Sequence, residues 1–396
     1  MKDRKANHWS QYICIASTAF IFVFPGRVVF ACPLCDATSS TLSEDIAGSQ
    51  LAVIGESLGL KNPAEGTVAN RQDLPMTRFR IIDSLNNKPP SIELTKQLQS
   101  EYEVYSNDPI DAKTKSLLLA YSVDPIEWGI PLPLTLEALS YLRGIRDLQD
   151  DGVARLRYFL NYLDSKDALV NEDAYNEFAR APIELVRAIA PELDRNRLIS
   201  WIQDSSARPR LRGLYWMFLS LVGTQDDLAF CREMLFKIDT SQPNPPIDLP
   251  ANIACFIALG GEVALQEIDQ RFLEADSAST SVVHAAISAI RVVEQDLHTL
   301  PRTRLAKSIQ HVLTREDLAD FVIPDLARWE DWTAIDRLDQ LFYSSDPESS
   351  FVRIPIINYM RICPLPKAKE LLQKMQVADP NAAKRAEMLF GFELPK

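Results

Sequence analysis

The second half of the chain repeats one arrangement: an apolar helix, a turn, then a second amphipathic helix that begins just after the turn. Arg212 to Val222 with Gly223 leads to Asp226 to Phe236, and Ala251 to Leu259 with Gly260 and Gly261 leads to Val263 to Phe272. Leu318 to Leu326 precedes Trp332 to Phe342, and Ile354 to Ile362 precedes Lys367 to Met375. A lone helix pair of this kind cannot cover its own apolar face, so the units have to stack, and a stack leaves a long surface for recognition.

The first helices begin at irregular steps of roughly 30 to 40 residues, the range of HEAT-like and related two-helix repeats. Ahead of them, Leu156, Phe159, Leu160 and Leu163 give one amphipathic face, and Arg195 to Trp201 a further helix. Asn171 reads as a helix cap with Glu172 and Asp173 in the first turn, and Pro182 suits the first turn of the next helix.

Before Leu134 the pattern favours strands. Leu51 to Ile54 is a short apolar run, Thr77 to Ile82 partly alternates, and Ile92 to Tyr105 and Lys115 to Val123 continue the series. Turn and loop chemistry in Lys61 to Pro75 and Asn86 to Pro90 separates these runs, and the proline-rich Pro125 to Pro133 follows the last of them. The predicted class is α+β multidomain: a small β-rich module of about five strands over 32–133, then an α-solenoid of HEAT-like helix pairs over 134–396.

Residues 1–31 read as a secretory signal: basic Lys2, Arg4 and Lys5, an apolar run from Tyr12 to Phe24, then Val29, Phe30 and Ala31 before Cys32. The apolar run is shorter than the ~20 residues that span a bilayer, which favours cleavage after Ala31 over a retained anchor. No later segment reads as a membrane span. Cys32 also stands where a lipoprotein carries its lipid, although Phe30 departs from the small residue usual there, so ordinary cleavage and lipidation both stay open. Either route places the protein outside the cytoplasm, in the periplasm or cell envelope.

Net charge is −12, and about −15 without the signal, with no later cluster of Lys and Arg to release counterions from a phosphate backbone. Nucleic acid is not an expected partner. The cysteines after the signal are Cys32, Cys35, Cys231, Cys255 and Cys363, an odd number without regular spacing. Cys32 and Cys35 form the one close pair and are expected to make a local structural disulfide in an oxidising compartment. With His284, His298 and His311 scattered, no metal site, cofactor loop or catalytic constellation is expected.

Two resemblances follow from particular segments. The early cysteine pair, Leu42 to Ala47 and the strand Leu51 to Gly55 resemble the opening of netrin-like domains, which implies a five-stranded OB-type barrel. In inhibitors of that family the first cysteine chelates a protease zinc, a role that here falls only to Cys32; this chain departs from the family's Cys-x-Cys by one residue. Cys32-Pro33-Leu34-Cys35, Asp173 to Pro182, Leu198 to Ile202 and Arg210 to Tyr215 resemble a group of uncharacterised exported proteins of planctomycete bacteria. That likeness spans most of the mature chain and implies architecture and export.

The candidate binding residues are Trp201, Arg208, Arg210, Arg212 and Tyr215, where guanidinium groups beside aromatic rings suit an anionic or planar ligand. Asp173 and Glu177 share a helix face but read as structural acids, and Trp329 and Trp332 as core. The expected function is a non-enzymatic exported adaptor for a protein or peptide partner; the alternative is an envelope hydrolase built from sequence-distant residues.

Overall fold

The computed structural model describes residues 39–60, 75–86, 101–148, 152–204, 209–315, 317–346 and 350–389. A short helix, α1 (Leu42–Gly48), opens the described chain, held by a capping box in which Thr41 Oγ1 accepts from Glu44 N–H and the Glu44 carboxylate accepts from Thr41 N–H.

One antiparallel sheet follows: β1 (Leu51–Leu60), β2 (Met76–Ser84), β3 (Glu101–Tyr105), β4 (Lys115–Val123), β5 (Ile126–Trp128) and β6 (Leu132–Leu134), in the order β3-β2-β1-β4-β5. The last two share the outer edge of β4, β5 along Ala120 to Val123 and β6 along Lys115 to Leu117. The proline-rich stretch from Pro125 to Pro133, in which no strand was expected, therefore completes the sheet. Pro133 is tolerated because β6 lies on an edge, where the missing N–H is not needed.

Period-two alternation gives the sheet two buried faces. Leu51 and Val53 of β1 join Phe79, Val104, Leu118 and Ala120 in an inner core, while Ala52 and Ile54 point the other way, with Leu117, into the core of the helical region. Register shifts after Ile54 and Ser57, the second at Gly59 with φ +94°, bend β1. The sheet curls until Tyr102 on β3 meets Trp128 on β5, ring centroids 5.4 Å apart, so its two edges nearly close into a barrel.

The rest of the described chain is helical: α2 (Leu136–Asp147), α3 (Gly152–Leu160), α4 (Ala168–Arg180), α5 (Ile183–Ile189), α6 (Arg195–Gln203), α7 (Pro209–Val222), α8 (Gln225–Phe236), α9 (Leu249–Ile268), α10 (Thr280–Val292), α11 (Arg302–Gln310), α12 (Ala319–Arg328), α13 (Ile335–Ser344), α14 (Ser350–Ile362), α15 (Pro366–Ala378) and α16 (Pro380–Leu389). The break expected at Gly260 and Gly261 lies inside α9, where Gly261 takes φ +60° and ψ −137° and divides it into two helices. Leu249–Leu273 has the length and composition of a membrane span, yet it contains this break, and 56% of its most apolar window is buried within the protein.

Several polar links between helices span 32 to 35 residues. Arg195 meets Asp227 at 2.6 Å, 32 residues away, and Arg291 meets Asp325 at 2.8 Å, 34 residues away. Arg232 meets Glu267 and Arg304 meets Asp269, both at 2.8 Å and both 35 residues apart. Asp227, Asp269 and Asp325 are buried, so three of these four pairs tie an interior carboxylate to a guanidinium 32 to 35 residues away, while Glu267 is partly exposed.

Candidate functional site

Helix α4 is the hub of the polar interior. It starts at Ala168, capped by Asp167, whose carboxylate accepts from Leu169 and Val170 N–H. The cap expected at Asn171 is thus corrected: Asn171 lies inside the helix, and its amide donates to Leu163 O at 2.6 Å. Asp173 does not answer a helix dipole either. It is 3% exposed and accepts from Leu42 N–H at 2.6 Å and from Tyr141 O–H at 2.7 Å.

Asp173, Asn176, Glu177 and Arg180 recur at helical spacing and form a cradle for residues 39–44. Asn176 donates to Ser39 Oγ at 2.8 Å, Arg180 to Ser39 O at 2.9 Å and to Glu44 at 3.3 Å. Arg155 bridges Glu177 at 3.1 Å and Ser43 at 3.0 Å. Burial is the main force on Asp173 and raises its carboxyl to about 6, against the two hydrogen bonds that favour the anion. Its oxygens face a backbone N–H and a phenol within the packed protein, an arrangement suited to holding a chain segment.

Beside the cradle lies the aromatic site. Tyr215 is buried and donates to Leu163 O at 2.9 Å, the carbonyl that also receives Asn171. Burial is the first cause that pushes the Tyr215 phenol upward, with Asp164 adding to it. Trp201, half-buried, lies against Tyr215 with centroids 4.7 Å apart, and the Arg197 guanidinium sits 4.6 Å from the centre of its ring. Asp164 holds Arg197 in place at 2.7 Å.

The predicted arginines divide. Arg212 is committed to Asp248 through Nε at 3.2 Å and Nη2 at 3.4 Å, and the same carboxylate receives Trp216 Nε1 at 3.2 Å. Arg210 pairs with Glu172 of α4 at 3.6 Å. Arg208 lies outside the described residues, as do Cys32 and Cys35. The cation against Trp201 is Arg197, absent from the predicted set although it stands one helical turn before the tryptophan.

No protein-family model, curated protein or solved structure matches the chain. The site therefore stands on its own geometry. Elsewhere Trp329 is buried, and Trp332 packs edge-on against Tyr359 with centroids 5.2 Å apart. An open cleft of about 570 Å³ near the C-terminus is lined by Arg361, Gln376, Pro380, Ala383, Lys384 and Glu387. Among the described residues, no group of three or more His, Cys, Asp or Glu is placed to hold a metal.

Proposed function

We propose that this chain is an exported, non-catalytic binding protein whose helices form a HEAT-like solenoid, with the sheet serving as an OB-like cap. The observation that carries the binding reading is Trp201: a large ring packed against Tyr215 and Arg197 yet still partly open to solvent. Rigid aromatic and arginine side chains supply much of the contact energy where proteins recognise one another. The recurring offset of 32 to 35 residues between paired Arg and acid supports repeats, each touching the next. The curl that joins Tyr102 to Trp128 supports the barrel-like cap.

Export rests on the tripartite N-terminus. Six residues separate Cys32 from Ser39, where the cradle on α4 begins. Fully extended, they reach about 20 to 25 Å. A lipid on Cys32 would hold the helical region that close to the envelope surface, whereas ordinary cleavage would leave a free amine at the same point. Terminal mass analysis of protein from the envelope fraction separates the two.

The binding test is capture from that fraction with the tagged full-length protein and its Trp201→Ala variant. A protein recovered with the wild type and at least about tenfold depleted with Trp201→Ala, at unchanged melting temperature, supports the site; tenfold corresponds to about 1.4 kcal/mol. Equal recovery with both proteins overturns it. Arg212→Ala serves as the contrast, expected to lower stability because Asp248, 11% exposed at its side chain, loses its cation.

A further inference from the structure

Cys231 on α8 and Cys255 on α9 lie sulfur to sulfur at 3.8 Å, and neither has measurable exposure. They stand 24 residues apart, on neighbouring helices that pack against each other. A disulfide requires about 2.05 Å between sulfurs, so the two have about 1.8 Å left to close. Both side chains point into the core shared with Leu235, Phe256 and Ile257, which leaves each thiol the other as its sulfur neighbour.

We propose that Cys231 and Cys255 are joined by a disulfide when the chain folds in an oxidising compartment, a modification that pins α8 to α9. The proposal rests on the export reading for its setting. The oxidant is a low-molecular-weight or protein disulfide. One cysteine, as thiolate, attacks a sulfur of that oxidant and releases one thiol, leaving a mixed disulfide. The second thiolate then attacks the protein sulfur and releases the other thiol. Two protons and two electrons leave the cysteine pair, and the oxidant is reduced to two thiols.

Timing follows from burial. Only the thiolate reacts, and burial pushes the Cys255 thiol well above its ordinary value, with its neighbour Cys231 adding to the effect. The folded, reduced protein also gives a bulky oxidant no path to either sulfur. The bond therefore closes during folding, before α8 seats on α9.

The test uses the full chain and glutathione disulfide with glutathione as the redox buffer. Protein unfolded in denaturant and refolded in that buffer should yield a cross-linked peptide containing Cys231 and Cys255, absent from Cys231→Ser and Cys255→Ser. Native reduced protein given the same buffer should keep both thiols alkylatable after later denaturation. Protein isolated from cells under acid quench supplies the second arm. Envelope-fraction protein with both thiols free overturns the proposal, as does a bond from either residue to Cys363 on refolding. Protein found in the cytoplasm with reduced thiols, but cross-linked on refolding, overturns the export reading and supports the pair.

Discussion

Burial raises the Asp173 carboxyl to about 6 from an ordinary value near 3.8, and this makes one side chain a measurable contributor to the pH dependence of folding. The native state binds that proton more tightly than the unfolded chain does. The associated stability is fully present below the unfolded value and is lost as pH rises through about 6, amounting to about 3 kcal/mol. Asp173→Asn keeps an acceptor for Leu42 N–H and removes the titration. Its stability relative to wild type should therefore rise between pH 4 and pH 7 by up to that amount, read by urea unfolding at both ends. A difference that stays flat with pH would mean Asp173 titrates alike in both states. Asp173→Ala removes the same titration, so its pH trend should match, but at every pH it should be less stable than Asp173→Asn, losing about 1 to 3 kcal/mol for each interior group left unpaired, Leu42 N–H and Tyr141 O–H. Nothing in the local sequence announces this role, because the partner lies 131 residues away. Trp201 and Tyr215, by contrast, stand out from residue type alone, while the pairing of Arg212 with Asp248 needs the fold.

Helix α2 shows how packing reverses a propensity at the scale of one element. Gly144 lies inside it, where replacing glycine by alanine ordinarily gains about 1 kcal/mol. A methyl at Gly144 would instead overlap the Tyr158 phenol, with the ring carbons Cζ and Cε2 at 2.6 and 2.7 Å. Tyr158 cannot swing aside freely, since it donates to Tyr141 O at 2.8 Å and stacks on the Tyr141 ring at 5.7 Å. Gly144→Ala should cost about 1 to 3 kcal/mol in chemical denaturation, as overpacking does. Gly48 in α1 has nothing within 4 Å of an added Cβ, so Gly48→Ala should be neutral or slightly stabilising in the same experiment. Two kinds of element were legible in the sequence: the Leu51 to Ile54 strand, as a short continuous apolar run, and the helix pair divided at Gly260 and Gly261, by its helical spacing and its glycines. The strands β5 and β6 were not, because three-residue edge strands beside prolines carry no period and are set by the exposed edge of β4. The start of α4 was also misplaced, since Asn171 has the chemistry of a cap but Asp167, four residues earlier, makes the hydrogen bonds.

The whole molecule is held together by a core that crosses the proposed module boundary. Leu42, Ala52, Ile54, Leu85 and Leu117 belong to the same apolar cluster as the buried residues of the helical region, and Asp83 on β2 receives both Arg143 and Arg146 of α2, at 3.0 and 3.3 Å. In a stack whose units touch only their neighbours, the first unit has an apolar face that no earlier repeat covers, so something else has to cap it. If the helices form the proposed solenoid, the sheet and α1 fill that role, since one face of the sheet is turned toward the helical core and the cradle of α4 closes over residues 39–44. A fragment beginning at Leu134 would expose that face and leave Asp173, Arg143 and Arg146 without their partners across the boundary. It should melt well below the full-length protein or aggregate, and the full-length protein should unfold the sheet and the first helices in one step. Calorimetry on the intact chain and size-exclusion chromatography of the fragment decide this. A separate transition for the sheet, together with a monomeric fragment as stable as the parent, would show that the helices need no cap and that the shared core contributes little to stability.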